Sequence, residues 1–372
     1  MAWLPVRENR SAKIQSGPLV GRVLCGAWRD QPDPLNASGA EIGQASPQLL
    51  GSGAAALAWW RLSASPPLDR AVEADGLAKT ARLLALADTM RTENLGHLAA
   101  LMREEGITPL LFKGWAIAQY YVETYLRPCG DFDVLVQRAD FDKAAALLTR
   151  RAVLIMGPGG PFVLHNPAVK MDYTVDLHGD LSPLYHTDVN ELFRRAQPAP
   201  SPAESMLVPC AEDHLRIVIL HLLKHGAWRP IWLCDVAALV EKITDTFGWE
   251  TCLTRDRVTA GWIKATIVTT HRVLECRIDH LPEAVRCYPA PAWIEQTIRK
   301  LWNEPYPARF IMHRSELRRA PVAYLRKVWG NPIWAAFTQG AAVTKTPRIC
   351  YQLSRFVRHA GRAFRPWIWA GK

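Results

Sequence analysis

LLFKGWAIAQYYVETYLRPCGDFDVLV, residues 110–136, carries three changes of pattern in one short span. Pro109-Leu110-Leu111-Phe112 is an apolar run of the length of a buried strand. Lys113-Gly114 breaks it. Trp115–Tyr125 then has helical spacing, with Trp115, Ala118, Tyr121 and Val122 on one face. Arg127-Pro128-Cys129-Gly130 ends that pattern, because Pro and Gly punctuate helices and strands alike. Asp131–Val136 follows with a period of two: Asp131 and Asp133 point to one face, Phe132 and Val134 to the other. Two acids side by side on an apolar strand are costly unless something positive sits between them. A divalent ion meets that need, since Mg2+ takes one or two carboxylates plus substrate phosphates.

Upstream, Leu68–Glu105 reads as one long helix. Leu83, Leu84, Leu86 and Ala87, then Leu95, Leu98 and Leu101, recur at three- and four-residue steps, and Gly106 supplies a stop. Residues 1–48 read as irregular or weakly helical, and Leu49–Leu62 as an Ala-rich helix closed by Pro66-Pro67. Downstream, Phe141–Arg151 reads as a helix, and Phe162–His165 with Ala168–Leu177 as a hairpin. On its second strand Asp172, Thr174, Asp176 and His178 share one face. Asp188–Ala196 is a further helix, and Gln197–Pro202 reads as a linker that sets a domain boundary. Ala211–Gly226, Pro230–Thr246, Trp249–Thr254 and Arg257–Glu275 are helix-like. The expected organisation is a helical region over 1–105, a core over 106–197, a helical domain over 203–300 and a tail over 301–372.

Strand, Lys-Gly, helix and Arg-Pro-x-Gly-Asp-Phe-Asp-Val-Leu-Val together resemble the core of the nucleotidyltransferase superfamily, in particular its branch of uncharacterised nucleotidyltransferases. That branch carries Lys-Gly where many relatives carry Gly-Ser. The resemblance extends to Val175-Asp176-Leu177-His178, and more weakly to His221–His225 and Trp232–Leu239. It covers roughly residues 75–290. Taken alone, Asp-x-Asp describes an exposed edge strand as readily as a metal site; the flanking motif shifts the balance. The resemblance implies an α+β fold, a polymerase-beta-like core with a small mixed sheet and helices on both sides. It also implies Mg2+-dependent transfer of a nucleoside monophosphate from a nucleoside triphosphate to a hydroxyl, with two ions in the site.

In that reading Asp131 and Asp133 hold the ions, and Asp176 completes one site and helps activate the acceptor hydroxyl. Asp172, on the same face, competes with Asp176 for the third place. Gly114 lets the backbone approach the triphosphate, Lys113 gives the phosphates a positive charge, and Arg127 adds a bidentate donor. Each has a plainer alternative: Lys113 as a turn residue, Arg127 as a helix-end cap. His178 reads as a structural histidine. His221 and His225 sit at i and i+4 without the Glu of a zinc helix, so packing in the core or in the pocket is favoured over metal. Asp235, alone in an apolar helix, calls for a buried donor or a place in the cleft. The acceptor is left open among small molecules, peptides and RNA. Two rival functions are a toxin-like RNA-modifying transferase and a scaffold that binds nucleotide without turnover.

Apolar residues make up 49% of the 372, enough for a sizeable core. No apolar run reaches the ~18 residues that a bilayer span requires. The eight Cys are scattered without Cys-x-x-Cys, and the N-terminus lacks a signal-like pattern. Both suit reduced thiols in a cytoplasm. The net charge of +10 concentrates at the end: after Glu316 there are eleven Lys or Arg and no acid, with Trp329, Trp334, Trp367 and Trp369 interleaved. That tail suits contact with a polyanion or an anionic membrane surface, and equally suits packing on the body.

Overall fold

The computed structural model describes residues 16–65, 74–157, 160–303, 329–344, 349–354 and 356–357. The strand that carries Asp-x-Asp, β2 (Asp131–Leu135), lies near the middle of a mixed sheet. On one side it pairs in parallel with β5 (Met171–His178), on the other antiparallel with the two-residue β1 (Leu110–Leu111). Outward from β5 come β4 (Phe162–Asn166) and β3 (Ala152–Ile155), both antiparallel. Outward from β1 come β7 (Leu207–Val208), parallel, and β6 (Gln197–Pro198). The seven strands therefore run β3-β4-β5-β2-β1-β7-β6. Because β2 is covered on both faces, Phe132 through Leu135 are all buried and only Asp131 is exposed.

Gln197–Pro202 is thus not a plain linker. Its first two residues form edge strand β6, a place where Pro is tolerated because no ladder N–H is needed outward. The helix expected over Trp115–Tyr125 is also shorter. It runs only as α5 (Gly114–Ala118), with a 3-10 turn at Thr124–Leu126. Tyr120, Tyr121 and Val122 lose rotamer freedom in a helix, and Tyr121 instead buries its hydroxyl against Asp235 at 2.7 Å.

Helices cover the sheet and extend beyond it. α4 (Asp75–Glu104) packs its second half, with Leu95, Leu98, Leu101 and Met102, on the face that carries Phe132, Val134 and Tyr173. Leu83 and Leu86, expected on that buried face, are 67% and 60% exposed. Gly106 (φ 66°) ends this chain segment as expected, passing the Ile107 amide back to the Met102 carbonyl. α6 (Phe141–Arg151) lies against the same apolar cluster through Ala144, Leu147 and Leu148.

From Ser16 onward the N-terminal part is more helical than its Pro and Gly content suggested; residues 1–15 lie outside the described residues. α1 (Ser16–Leu24) buries Leu19, Val20, Val23 and Leu24. α2 (Gly39–Ser52) starts on a reciprocal Ser38–Glu41 capping box and stops at Gly53 (φ 82°). That stop splits the single helix expected over Leu49–Leu62 into α2 and α3 (Ala55–Ser63). After α7 (Val189–Arg195), capped by Asp188, come α8 (Ala211–Lys224), α9 (Pro230–Val240), α10 (Trp249–Leu253) and α11 (Arg257–Leu274). They follow the expected order. α9 is buried at every position, so it is a central helix with Asp235 as its one acid. α12 (Glu283–Arg286), α13 (Ala292–Leu301) and α14 (Pro332–Phe337) follow. One apolar cluster runs from Leu19 through Leu110 and Leu215 to Trp302 and Ile333. Of the basic tail, Trp334 belongs to α14, while Val322–Val328, Trp367 and Trp369 lie outside the described residues. No described helix is long and apolar enough to cross a membrane.

His214 on α8 gives the core a pH-dependent element. It is 1% exposed, its Nε2 has no hydrogen-bond partner, and it meets the edge of the Tyr120 ring at 5.3 Å. Burial, then the charge of Arg127, pushes its pKa down to about 3. The folded pKa lies below the unfolded one, so stability is complete above pH ~6.5. Below that pH it falls by about 1.4 kcal/mol per unit, as the unfolded chain takes up a proton that the folded chain refuses. Urea unfolding at a series of pH values should show this slope, reduced in His214→Gln; equal slopes in the two proteins would remove His214 as the cause.

Candidate active site

The Lys-Gly break is a backbone device. Phe112 still donates to the Asp133 carbonyl at 3.2 Å. Lys113 then takes φ 60°, ψ −148° and Gly114 φ 28°, which swings the chain off the sheet into α5. The Lys113 conformation belongs to a region nearly reserved for glycine and costs roughly 1–3 kcal/mol. What holds it includes the Lys113 ammonium, which contacts Asp133 Oδ1 at 2.5 Å and lies over the Phe112 ring. A Cβ on Gly114 would sit 3.3 Å from Cys129 Cβ and 3.4 Å from the Asp131 carbonyl, so glycine lets the 127–131 loop close over this turn. With α5 only five residues long, little helix dipole stands behind the Gly114 amide. Its role reduces to this close approach.

Registry decides which acids meet. Asp133 lies directly opposite Asp176 across the parallel β2–β5 pair, and Asp131 opposite Thr174. Asp172 faces outward instead and binds His165 Nδ1 at 2.7 Å, more than half exposed. Of the two contenders for the third acid, Asp176 is therefore the one in the cleft. His178, two residues on and on the same face, brings Nε2 to 3.2 Å from Asp176 Oδ2 and 3.5 Å from Asp133 Oδ1. That nitrogen is buried and lacks hydrogen-bond geometry to either oxygen, so the contact is one of charge and position. Burial opposes a proton on His178, but the two carboxylates outweigh it and lift its pKa to about 9. Asp176 is correspondingly lowered, by His178 first. Asp131 is raised, by desolvation in the cleft wall and then by the nearby charges of Asp133 and Asp176; it stays open to water at the mouth.

These groups form the floor of a cleft of about 510 Å³. The opposite wall comes from α8 and α9: His221, Lys224, His225, Arg229 and Trp232. His221, Lys224 and His225 stand at i, i+3 and i+4 on one helix face. His221 and His225 both pack on Trp232, at 5.1 and 5.3 Å between ring centres. Burial, followed by neighbouring cations, pulls His221 well below its ordinary pKa and His225 down to about 4. Both imidazoles are neutral at pH 7, as pocket packing implies. Lys224 is lowered by burial and by Lys113, and its ammonium lies 5.7 Å from the Tyr185 ring. The sequence does not single out Lys224: its spacing puts it on the face of His221 and His225, but does not place that face in a cleft.

Arg127 is held by a buried acid. It borders the cleft, but Nε and Nη2 are committed to both oxygens of Asp235, the latter at 2.8 Å, and Nη1 donates to the Pro128 carbonyl. These bonds tie the floor of the cleft to α9. Asp235 finds in Arg127 the buried donor its position called for.

Paired acids on adjacent strands, a lysine on the preceding turn and a cationic wall opposite define the class: an α+β protein with a nucleotidyltransferase core. The family model described as uncharacterised nucleotidyltransferase matches residues 50–267. That is more than half of the chain, and the protein belongs to this family. Neither the curated proteins nor the solved structures contain a match.

A divalent ion fits the residues present. Donor atoms of Asp133, Asp176 and His178 all lie within 4.8 Å of one another, and the His178 Nε2 among them is buried between the two carboxylates.

Proposed function

We propose that the chain transfers a nucleoside monophosphate from a nucleoside triphosphate to a hydroxyl acceptor in this cleft. The observation that carries the reading is the direct opposition of Asp133 and Asp176 in register, with Lys113 reaching the same carboxylate. Asp131, Asp133 and Asp176 would hold divalent cation, Mg2+ in the family's pattern. Bound there, it neutralises charge on the phosphoryl oxygens and on the leaving pyrophosphate. Lys113 places a positive charge beside the phosphates, and Lys224 and Arg229 supply more from the opposite wall. Such positioning and charge stabilisation are most of what phosphoryl chemistry asks of a protein. Asp176 orients the acceptor hydroxyl and takes its proton as the new phosphodiester forms and pyrophosphate leaves. Trp232, flanked by two neutral imidazoles, offers an apolar face for the base or the acceptor. The free thiols of all eight cysteines agree with a reducing, cytoplasmic setting.

The test is incubation with each α-labelled triphosphate, Mg2+ or Mn2+, and cell extract. Pyrophosphate release with label on one class of acceptor is expected. Triphosphate binding without release under any combination would favour the non-catalytic scaffold. A narrower outcome concerns Lys113. Lys113→Ala should weaken triphosphate binding about 10-fold or more, as loss of one charge-assisted contact worth ~1.5–3 kcal/mol implies. Its melting temperature should fall only modestly, because Asp133 loses one cation but keeps His178 beside it. Titration calorimetry beside a melting curve separates this from a turn residue, whose loss would lower stability and leave affinity intact.

A further inference from the structure

The family's pattern supplies carboxylates, yet the three donors that converge in this cleft are two oxygens and a nitrogen. We propose that His178 is a direct ligand of the divalent ion, and that the Asp133, Asp176, His178 set selects a first-row transition ion over Mg2+. The inference rests on the same acidic site as the proposed transfer, though not on turnover.

Three placements carry it. Parallel registry puts Asp133 and Asp176 side by side. The period of two then puts His178 on the same face as Asp176. The longer histidine side chain bridges the gap of one residue pair along the strand, so its Nε2 arrives 3.2 and 3.5 Å from the two carboxylates. The ring stands edge-on to Phe112, with centres 5.2 Å apart, which fixes where Nε2 points. Nε2 is buried and faces both carboxylates at ion-pair distance without hydrogen-bond geometry to either, so a cation that displaces its proton meets one nitrogen and two oxygens together. Asp131 is absent from this group of converging donors and sits at the exposed mouth, where it can reach a substrate-bound cation instead.

Ion chemistry supplies the selectivity. Mg2+ is a hard ion that prefers oxygen and keeps several waters. Imidazole nitrogen favours first-row transition ions, and a mixed carboxylate–imidazole set binds them more tightly than it binds Mg2+. Asp176-Leu177-His178 thereby works as a two-ligand unit on one strand face, with Asp133 as the third arm from its neighbour.

Mn2+ is a suitable probe because its binding is read directly by electron paramagnetic resonance, without nucleotide or acceptor. In the full-length chain, Mn2+ should bind at least ~10-fold more tightly than Mg2+ when the two compete, and pulsed spectra should show coupling to a directly bound nitrogen. His178→Gln should abolish that coupling and bring the Mn2+/Mg2+ affinity ratio down by about 10-fold. Nitrogen coupling that persists in His178→Gln would assign the ligand to another group, such as His221 or His225, and overturn the proposal. So would wild-type Mn2+ bound with no nitrogen coupling, a result that needs no variant to fold. Should His178→Gln not fold, His178→Asn serves with the same readouts. Mn2+ held through His178 in a chain that never releases pyrophosphate would leave this inference standing and remove the proposed transfer.

Discussion

Asp133→Asn combined with Asp176→Asn is expected to abolish nucleotide transfer, by at least ~10³-fold in rate, with the fold retained. Loss of a single preorganised electrostatic partner in an active site already costs about 10²–10³-fold. Here the two opposed carboxylates go together, and with them the principal anchors for a cation. Stability should move little, because two contributions oppose each other. Removing close like charges relieves repulsion, whereas Lys113 and His178 lose the anions that neutralise them. Asparagine keeps an oxygen at each site, so packing is nearly unchanged. Pyrophosphate release and a melting curve decide the matter. A double variant with more than a tenth of the wild-type rate would mean that the chemistry lies elsewhere in the cleft. A collapsed melting temperature would mean that the pair is structural first.

The match between sequence and structure follows from how far each signal reaches along the chain. Asp131-Phe132-Asp133 was legible because a strand's period of two is local, and Lys113-Gly114 because a break is local. The third acid was half legible: period two placed Asp172 and Asp176 on one face, but only strand registry, a relation between distant segments, separates them. Trp115–Tyr125 misled for the same reason. Its helical spacing was real, yet Tyr121 is claimed by Asp235, 114 residues away. Gln197–Pro202 looked like a linker because Pro marks loops and edge strands alike. Leu83 and Leu86 kept the helical rhythm of the buried half of α4 but are exposed, since periodicity shows a face without showing what covers it. Lys224 was hidden by its chemistry, as a lysine among apolar helix residues reads as solvated until the opposite wall of a cleft is seen.

Arg127 and Asp235 carry the largest expected effect on stability. The pair spans 108 residues and joins the 127–131 loop, which carries the Asp-x-Asp strand, to the buried helix α9. Asp235 is 1% exposed and Arg127 8%, and Tyr121 donates a further hydrogen bond to Asp235 at 2.7 Å. Burial works against the guanidinium charge, and Asp235 more than restores it, raising the Arg127 pKa above its ordinary value. Asp235→Ala should therefore destabilise the protein by about 3–5 kcal/mol, since it leaves a buried cation unpaired, with the Tyr121 hydroxyl also stranded. Arg127→Ala should cost a similar amount for the complementary reason. Arg127→Met with Asp235→Leu should recover part of the loss, because exchanging a buried ion pair for apolar groups of similar size is often close to neutral, while the Tyr121 hydroxyl still lacks its acceptor. Triphosphate affinity per folded molecule separates a brace from a ligand. As a brace, Arg127 can be exchanged together with Asp235 and leave affinity within a few-fold of wild type. As a phosphate donor, its loss would weaken binding in the double variant as much as in Arg127→Ala. Denaturant unfolding and titration calorimetry on the three variants distinguish these outcomes, and recovered stability without recovered affinity would return Arg127 to the nucleotide site.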